Sequence, residues 1–479
     1  MEYYFGVDFG TTNSALVCYA LEGKRRQAIR CDDGTDRPIP STVAIDREGK
    51  IFVGRAAWQN KMRLRDTCRY FHSIKTILDS DDEFEVAGKM WTPVDIASEV
   101  FSHLRRLARK TVGVDMTEAF LSIPIGFSAQ KRIKLRQAAA KAGIDVKSFV
   151  SEPTAAFAAN YDELKSASTV AIFDWGGGTL DVSIIGHSGG NLFEIATAGM
   201  SLAGDDLDRK LAEKIHDKLA RKKKISIAFA DMPSGDQDTM LVKAEEAKRE
   251  FTFSDDAQIM FNRYGELGAC REMLGYDWFE EIIKPEVSSA IDCFERTIQQ
   301  SGVGLANVDR IVMIGGSSNL RPLIEQMERR YGEKLFFPEE TMWSVGQGTA
   351  RLSLNAGDYY SNQSLGLILS DGSYYELLKR GAAIKGWSCE CNFGVVDTTE
   401  QARFVFASRE GFDGSKLLNA DYMTLSVPNY QFLQEQIVLR CGIDDDLIFK
   451  ATAASNMRGS QYARTWDYDR LKCYYRLPR

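Results

Sequence analysis

Asp8-Phe9-Gly10-Thr11-Thr12-Asn13-Ser14 and Asp174-Trp175-Gly176-Gly177-Gly178-Thr179-Leu180-Asp181 are two versions of one pattern. Each follows an apolar strand, residues 3–8 and 169–174, and each leads into a returning strand, residues 14–19 and 181–185. The chain rises to an aspartate, turns through glycine and threonine, and comes back. Such a turn presents backbone N–H groups to an anion, and threonine hydroxyls add donors. Gly176, Gly177 and Gly178 let the backbone reach contact distance of a phosphate with no Cβ in the way. An aspartate at the strand end cannot bind phosphate itself, but it can hold hydrated magnesium, which neutralises the phosphates. One copy alone reads equally well as a hairpin turn without a ligand. Two copies, each opening a half of the chain, predict an internal duplication: two mixed sheets wrapped by helices, clamping a triphosphate between their turns. Neither turn is a Walker A motif or a Rossmann G-x-G-x-x-G.

Outward from these turns, the sequence punctuates itself. Thr92 caps a helix with Pro93 at its first position, and Ile96, Val100, Leu104 and Leu107 recur on one face. A second helix starts at Ser128 and stops before Gly143. A third strand, residues 310–314, runs into Gly315-Gly316-Ser317-Ser318 and then a helix over residues 322–330. Near residue 355 the composition changes to polar, turn-rich chain. Beyond it, strand-like runs at 365–369, 374–378, 402–407, 436–441 and 447–453 predict a small antiparallel β-sandwich. The expected division is residues 1–355, a linker at 356–363, the sandwich at 364–456 and a tail at 457–479.

Composition bounds the rest. The 479 residues exceed one ordinary core, and 44% apolar with 27% charged residues is a soluble globular balance. A formal charge of −7 argues against nucleic acid or an acidic membrane as partner. The basic run Arg221-Lys222-Lys223-Lys224 has no interleaved aromatics and reads as a solvated helix end. No secretory leader or membrane span is expected. Nine scattered cysteines fit reduced thiols in a cytoplasmic protein, and Cys389-Glu390-Cys391 lacks the second pair a zinc site needs.

Four stretches resemble, in order and spacing, the phosphate-1, connect, phosphate-2 and adenosine motifs of the 70-kDa heat-shock protein family, the DnaK-type chaperones. They are residues 8–14 (DFGTTNS), 151–156 (SEPTAA), 174–185 (DWGGGTLDVSII) and 314–318 (IGGSS). The resemblance runs over about residues 3–455. It implies a two-lobed actin-like ATPase followed by a β-sandwich, an α/β fold, and a slow magnesium-dependent ATP hydrolase acting as a chaperone. ATP or ADP, Mg2+ and flanking K+ are the implied cofactors. Extended apolar peptides, a J-domain co-chaperone and a nucleotide exchange factor are the implied partners.

Residue by residue, the resemblance implies that Asp8, Asp174 and Asp181 position the metals. Gly10, Thr11, Thr12 and Asn13 would contact phosphates from one side, and Gly176, Gly177, Gly178 and Thr179 from the other. Lys75 resembles the lysine reaching the γ-phosphate, Glu152 the carboxylate orienting the attacking water, and Thr179 the hydroxyl beside them. Gly204, Asp205, Glu245, Lys248, Arg249, Thr252, Gly315, Gly316 and Ser317 would hold the ribose and base. Asn319 stands where the family has an arginine that stacks on adenine. Pro124 and Arg132 resemble the switch and relay that carry nucleotide state to the second domain. Leu367, Leu369, Ala402 and Phe404 would line a peptide groove. The family's leucine-rich linker has no counterpart, and residues 457–479 are too short for its helical lid. A small-molecule kinase of the same superfold, an actin-like filament former, and a scaffold whose sandwich docks one folded partner are the rival readings.

Overall fold

The computed structural model describes residues 2–22, 25–60, 68–355, 359–396, 399–410, 416–429, 433–457 and 463–477. The strand Glu2–Phe9 pairs antiparallel with Asn13–Glu22 and parallel with Glu118–Ile123. Asp145–Ser151 and Arg25–Arg30 complete the run on its two sides. In the second half Thr169–Trp175 pairs antiparallel with Leu180–Ser188 and parallel with Arg310–Ile314. An antiparallel hairpin beside a parallel strand is thus built twice, as the repeated turns predict. The apolar sides of both sheets are covered by helices. Pro93–Val112 carries the expected Thr92 cap with a reciprocal Asp95 bond, and Ser128 accepts from the Lys131 N–H.

A helix over Ser344–Leu352 closes the first half against the start of Glu152–Ala159. A Cβ on Gly348 would lie 1.6 Å from the Ala155 carbonyl oxygen, so only glycine permits this crossing. The basic run at 221–224 ends the helix Gly204–Lys223, where Lys222 bonds Glu272 at 2.6 Å. No helix among the described residues is long and apolar enough to cross a membrane.

The last quarter forms two four-stranded antiparallel sheets. One runs Tyr374–Leu378, Ser364–Ile368, Thr399–Glu410, Lys416–Asn429; the other runs Ser388–Gly394, Gln436–Ile443, Phe449–Ser455, Arg464–Tyr468. Their inner faces share one apolar cluster, with Phe406 and Trp466 stacked at 3.8 Å. Of the four residues expected to line a groove, Leu367, Ala402 and Phe404 point inward into the sandwich core and Leu369 packs at its edge.

Residues 356–358 of the expected linker lie outside the described residues. Of its remainder, Tyr359–Ser361 is a strand. The segment expected as a tail contributes two strands: Arg464–Tyr468 edges the second sandwich sheet, and Cys473–Arg476 joins the seven-stranded sheet of the second half. Its alternating Cys473, Tyr475 and Leu477 are buried.

Candidate functional site

The two repeated turns face each other across a cleft of about 470 Å³. They touch so closely that a Cβ on Gly177 would lie 1.9 Å from Thr12 Oγ1, and one on Gly178 would lie 2.8 Å from the Thr11 methyl. Glycine is required here by the approach of the opposite lobe. The Thr12 hydroxyl is itself buried and has no hydrogen-bond partner. A buried polar atom left unpaired costs free energy, and the cleft is where a partner would come from.

Carboxylates gather on the floor. Asp8 ends its strand and accepts from Ser122 Oγ at 3.0 Å, because Ser122 is its register partner on Glu118–Ile123. Asp174 and Asp181 are register partners across the second hairpin. Thr179 Oγ1 donates to Asp181 at 2.7 Å. Glu152 opens its helix behind Ser151 and accepts from Lys75 Nζ at 2.7 Å. These four carboxylates and the buried Lys75 thus line one cleft, with the Lys131 and Asp79 pair, 3.7 Å apart, also in its lining.

Electrostatics follow from that imbalance. Burial, then the Glu152 charge, push the Asp181 carboxyl up to about 6. The same two causes raise Asp8 against the pull of Lys75, and burial with three neighbouring carboxylates raises Asp174 well above the carboxylate range. Burial pulls Lys75 down, but Glu152 and Asp8 outweigh it and hold its ammonium above the ordinary value. The site is short of positive charge. A cation would relieve it, as would ligand groups that bring one.

The other expected nucleotide-contacting residues are held by hydrogen bonds to one another and to the glycine turn. Gly204 and Asp205 donate their N–H groups to the Gly176 and Gly177 carbonyls, and Ser317 Oγ donates to the Gly176 carbonyl at 2.9 Å. These three buttress the glycine turn from behind. Lys248 is buried and donates to the Gly204 carbonyl at 3.0 Å and to Asp208 at 2.8 Å. Arg249 and Glu245 bond each other on a helix face, with the Arg249 side chain 59% exposed. Neither they nor Thr252 line the cleft, whereas Gly315 and Gly316 do.

Pro124 lines the cleft and starts a turn that ends at Phe127. Arg132 donates to the Phe127 carbonyl, to Asp446 O at 2.6 Å and to Asp469 O at 3.0 Å. The latter two lie in sandwich loops. Arg136 adds an ion pair to Asp446 at 2.8 Å.

A family model for Hsp70 protein matches residues 4–337. The chain belongs to the Hsp70 family. Members of this family are in general ATP-dependent chaperones and ATPases that use ATP or ADP with Mg2+, and they bind unfolded peptides and co-chaperones. The fold accords with membership: an actin-like ATPase followed by a β-sandwich. Two residues that bond the site's surroundings, Ser122 to Asp8 and Glu194 to Ser151 and Thr154 beside Glu152, were not singled out from the sequence. Ser122 interrupts the apolar run Ala119-Phe120-Leu121 before Ile123, and Glu194 interrupts another within Asn191–Met200. A lone polar residue inside an apolar strand is the signal for both.

Proposed function

We propose that this Hsp70-family chain binds magnesium ATP between its two glycine-threonine turns and hydrolyses it slowly to drive chaperone action. The observation that carries the reading is the convergence of Asp8, Glu152, Asp174 and Asp181 on Lys75, in a cleft that Gly176, Gly177 and Gly178 also line. Thr11, Thr12 and Asn13 would donate to the phosphates from one lobe, and the backbone of residues 176–179 from the other. The orphaned Thr12 hydroxyl fits that role.

Among the described residues, no three side chains of the metal-binding types come close enough to ligate one ion directly. Asp8, Asp174 and Asp181 would therefore hold Mg2+ through its water shell, with K+ beside it. The metal supplies charge neutralisation of the phosphates. Lys75 reaches toward the γ-phosphate once its pair with Glu152 opens. Glu152 accepts a hydrogen bond from the attacking water and aligns it. Residues 204–205 and 315–317 would shape the nucleoside side, with Glu245, Arg249 and Thr252 at its rim.

The path Pro124, Phe127, Arg132, Asp446 supports a relay from the cleft to the sandwich. The sandwich would take extended apolar peptide segments, with a J-domain protein and an exchange factor as partners, in the cytoplasm. Such a peptide would bind away from the buried faces of Leu367, Ala402 and Phe404. A second reading is a scaffold whose sandwich docks one folded partner; the buried state of those residues favours it.

Single-turnover hydrolysis tests the site. Glu152→Ala and Lys75→Ala are expected to keep ATP affinity and slow hydrolysis on the order of 10²-fold. Parent rates in both variants would sink the assignment.

A further inference from the structure

The strand Cys473–Arg476 lies between Asn191–Met200 and Tyr359–Ser361 and pairs with both. Its ladder is extended by Leu477 N–H to the Gly190 carbonyl and by Asn362 N–H to the Lys472 carbonyl. The Tyr474 ring packs on Phe193 at 4.7 Å and on Tyr360 at 5.2 Å. Tyr475 points the other way, is buried, and donates its hydroxyl to the Phe149 carbonyl at 3.0 Å. Phe149 belongs to Asp145–Ser151, a strand of the other lobe. One short strand therefore joins the second lobe through its backbone and the first through a hydroxyl.

The contacts continue toward Glu152. Glu194, next to Phe193, accepts hydrogen bonds from Ser151 Oγ and from Thr154 Oγ1 at 3.1 Å. Asn362 Nδ2 bonds the Glu194 carbonyl at 3.3 Å. Ser151 is the N-cap of the helix Glu152–Ala159, yet its hydroxyl caps nothing. A serine there ordinarily bonds an N–H of the first helical turn. Here that bond is given up, and the hydroxyl is committed to a carboxylate on the opposite lobe. Both hydroxyls flanking Glu152, at 151 and 154, end on Glu194. The start of the helix is thereby registered against Asn191–Met200, and that strand against Cys473–Arg476.

We propose that Glu194 is a positioning residue for Glu152, held in place by the strand Cys473–Arg476, so that docking of this segment is part of the hydrolytic site. The proposal rests on the reading of Glu152 as the carboxylate that aligns water. Glu194 touches no substrate in this scheme. It fixes where the Glu152 carboxylate points, and a small misplacement of such a group is costly because alignment carries much of the rate. The strand Cys473–Arg476 pairs with residues 191–193, and Asn362 beside it bonds the Glu194 carbonyl, which holds Glu194 against the other lobe.

The test uses the full chain, with ATP affinity, single-turnover rate and hydrogen exchange measured together. In Glu194→Leu both hydroxyls lose their acceptor. The expected result is hydrolysis slowed roughly tenfold, ATP affinity within about twofold, and faster exchange at residues 151–155. Glu194→Gln keeps an oxygen that accepts from both hydroxyls, and should restore the rate to within about threefold of the parent. Tyr474→Ala removes both ring contacts and should speed exchange at residues 192–194 and 473–476 while slowing hydrolysis. Parent exchange at residues 151–155 in Glu194→Leu overturns the positioning, whatever Glu152 does. A Tyr474→Ala protein whose strand exchanges freely at the parent hydrolysis rate overturns the role of the strand. If Glu152→Ala itself hydrolyses at the parent rate, the catalytic reading of Glu152 fails instead, and exchange at residues 151–155 still decides whether Glu194 positions it.

Discussion

The nucleotide cleft and the sandwich interior are built on opposite terms. In the cleft, polar groups are brought together without being satisfied. Five carboxylates line it with two lysines, and the Thr12 hydroxyl is buried with no partner. In the sandwich, the residues first read as ligand-facing are already occupied with one another. Phe404 meets Phe393 edge-on at 5.8 Å, and Leu367 is 2% exposed. An arrangement that costs free energy when empty signals a ligand, because only a bound cation or phosphate would offset it. An apolar strand face carries no such signal, since it is satisfied equally by a core and by a peptide. Breaking either side of this contrast is straightforward, and the expected effects differ in size.

The largest effect lies in the sandwich. Phe404→Ala should cost about 3–5 kcal/mol, the price of truncating a buried ring. Leu367→Ala should cost about 2–5 kcal/mol. Both should leave ATP affinity unchanged, because the cluster that holds them lies apart from the cleft. Denaturant melts followed by hydrogen exchange at residues of the sandwich core measure the loss. A cost below about 1 kcal/mol, typical of an exposed substitution, together with lost binding of a Leu-rich peptide, would break the contrast and return both residues to a groove.

Gly177→Val comes next. Its Cβ would lie 1.9 Å from Thr12 Oγ1 and 3.2 Å from Asp205 Oδ1, so the two turns must separate. At a hundredfold excess over Kd, magnesium ATP should stabilise the parent by about 2.7 kcal/mol, and the variant should lose most of this. Comparing melting curves with and without nucleotide separates lost binding from lost folding. A full ATP-dependent gain in the variant would show that phosphate does not sit between the turns.

Much of this site was legible because its chemistry is local. Asp8 and Asp174 each sit within a few residues of the turn they serve, and strand alternation sets their direction. The hairpins, the caps at Thr92 and Ser128 and the run at residues 310–316 follow from the same short-range rules. What stayed hidden depends on long-range packing. The bonds of Lys248 to Asp208 and to the Gly204 carbonyl join residues 40 and 44 positions apart and leave no local signal. Leu367 and Phe404 carry the right alternation, but alternation does not say whether the covered face meets another sheet or a peptide. The strand Lys416–Asn429 contains Asn419, Asp421 and Pro428, poor strand formers that its pairing with Thr399–Glu410 overrides. Cys473–Arg476 is only four residues, and its partners lie more than a hundred positions upstream.

The smallest effect concerns the base. Asn319 ends the turn Gly316–Asn319, whose first residue lines the cleft. The resemblance puts an adenine-stacking arginine at this position, and asparagine offers no such plane. Arg321, two residues on, is already committed: it bonds Asp255 at 2.6 Å, bonds Glu325 at 3.0 Å and lies 4.0 Å over the Tyr276 ring. Asn319→Arg should therefore add a contact the parent lacks. Stacking of a guanidinium on an exposed ring contributes about 0.5–1 kcal/mol, so ATP should bind roughly two- to fivefold more tightly. A new positive charge near the cleft would also attract phosphate, and that effect must be separated. Inorganic tripolyphosphate with magnesium provides the control, since it carries the charge without the ring. Tighter binding of ATP with unchanged tripolyphosphate affinity places adenine beside residue 319. An equal gain for both ligands makes the effect electrostatic. No gain for either puts the base elsewhere, and then the contrast between cleft and sandwich holds only for the phosphate half of the site.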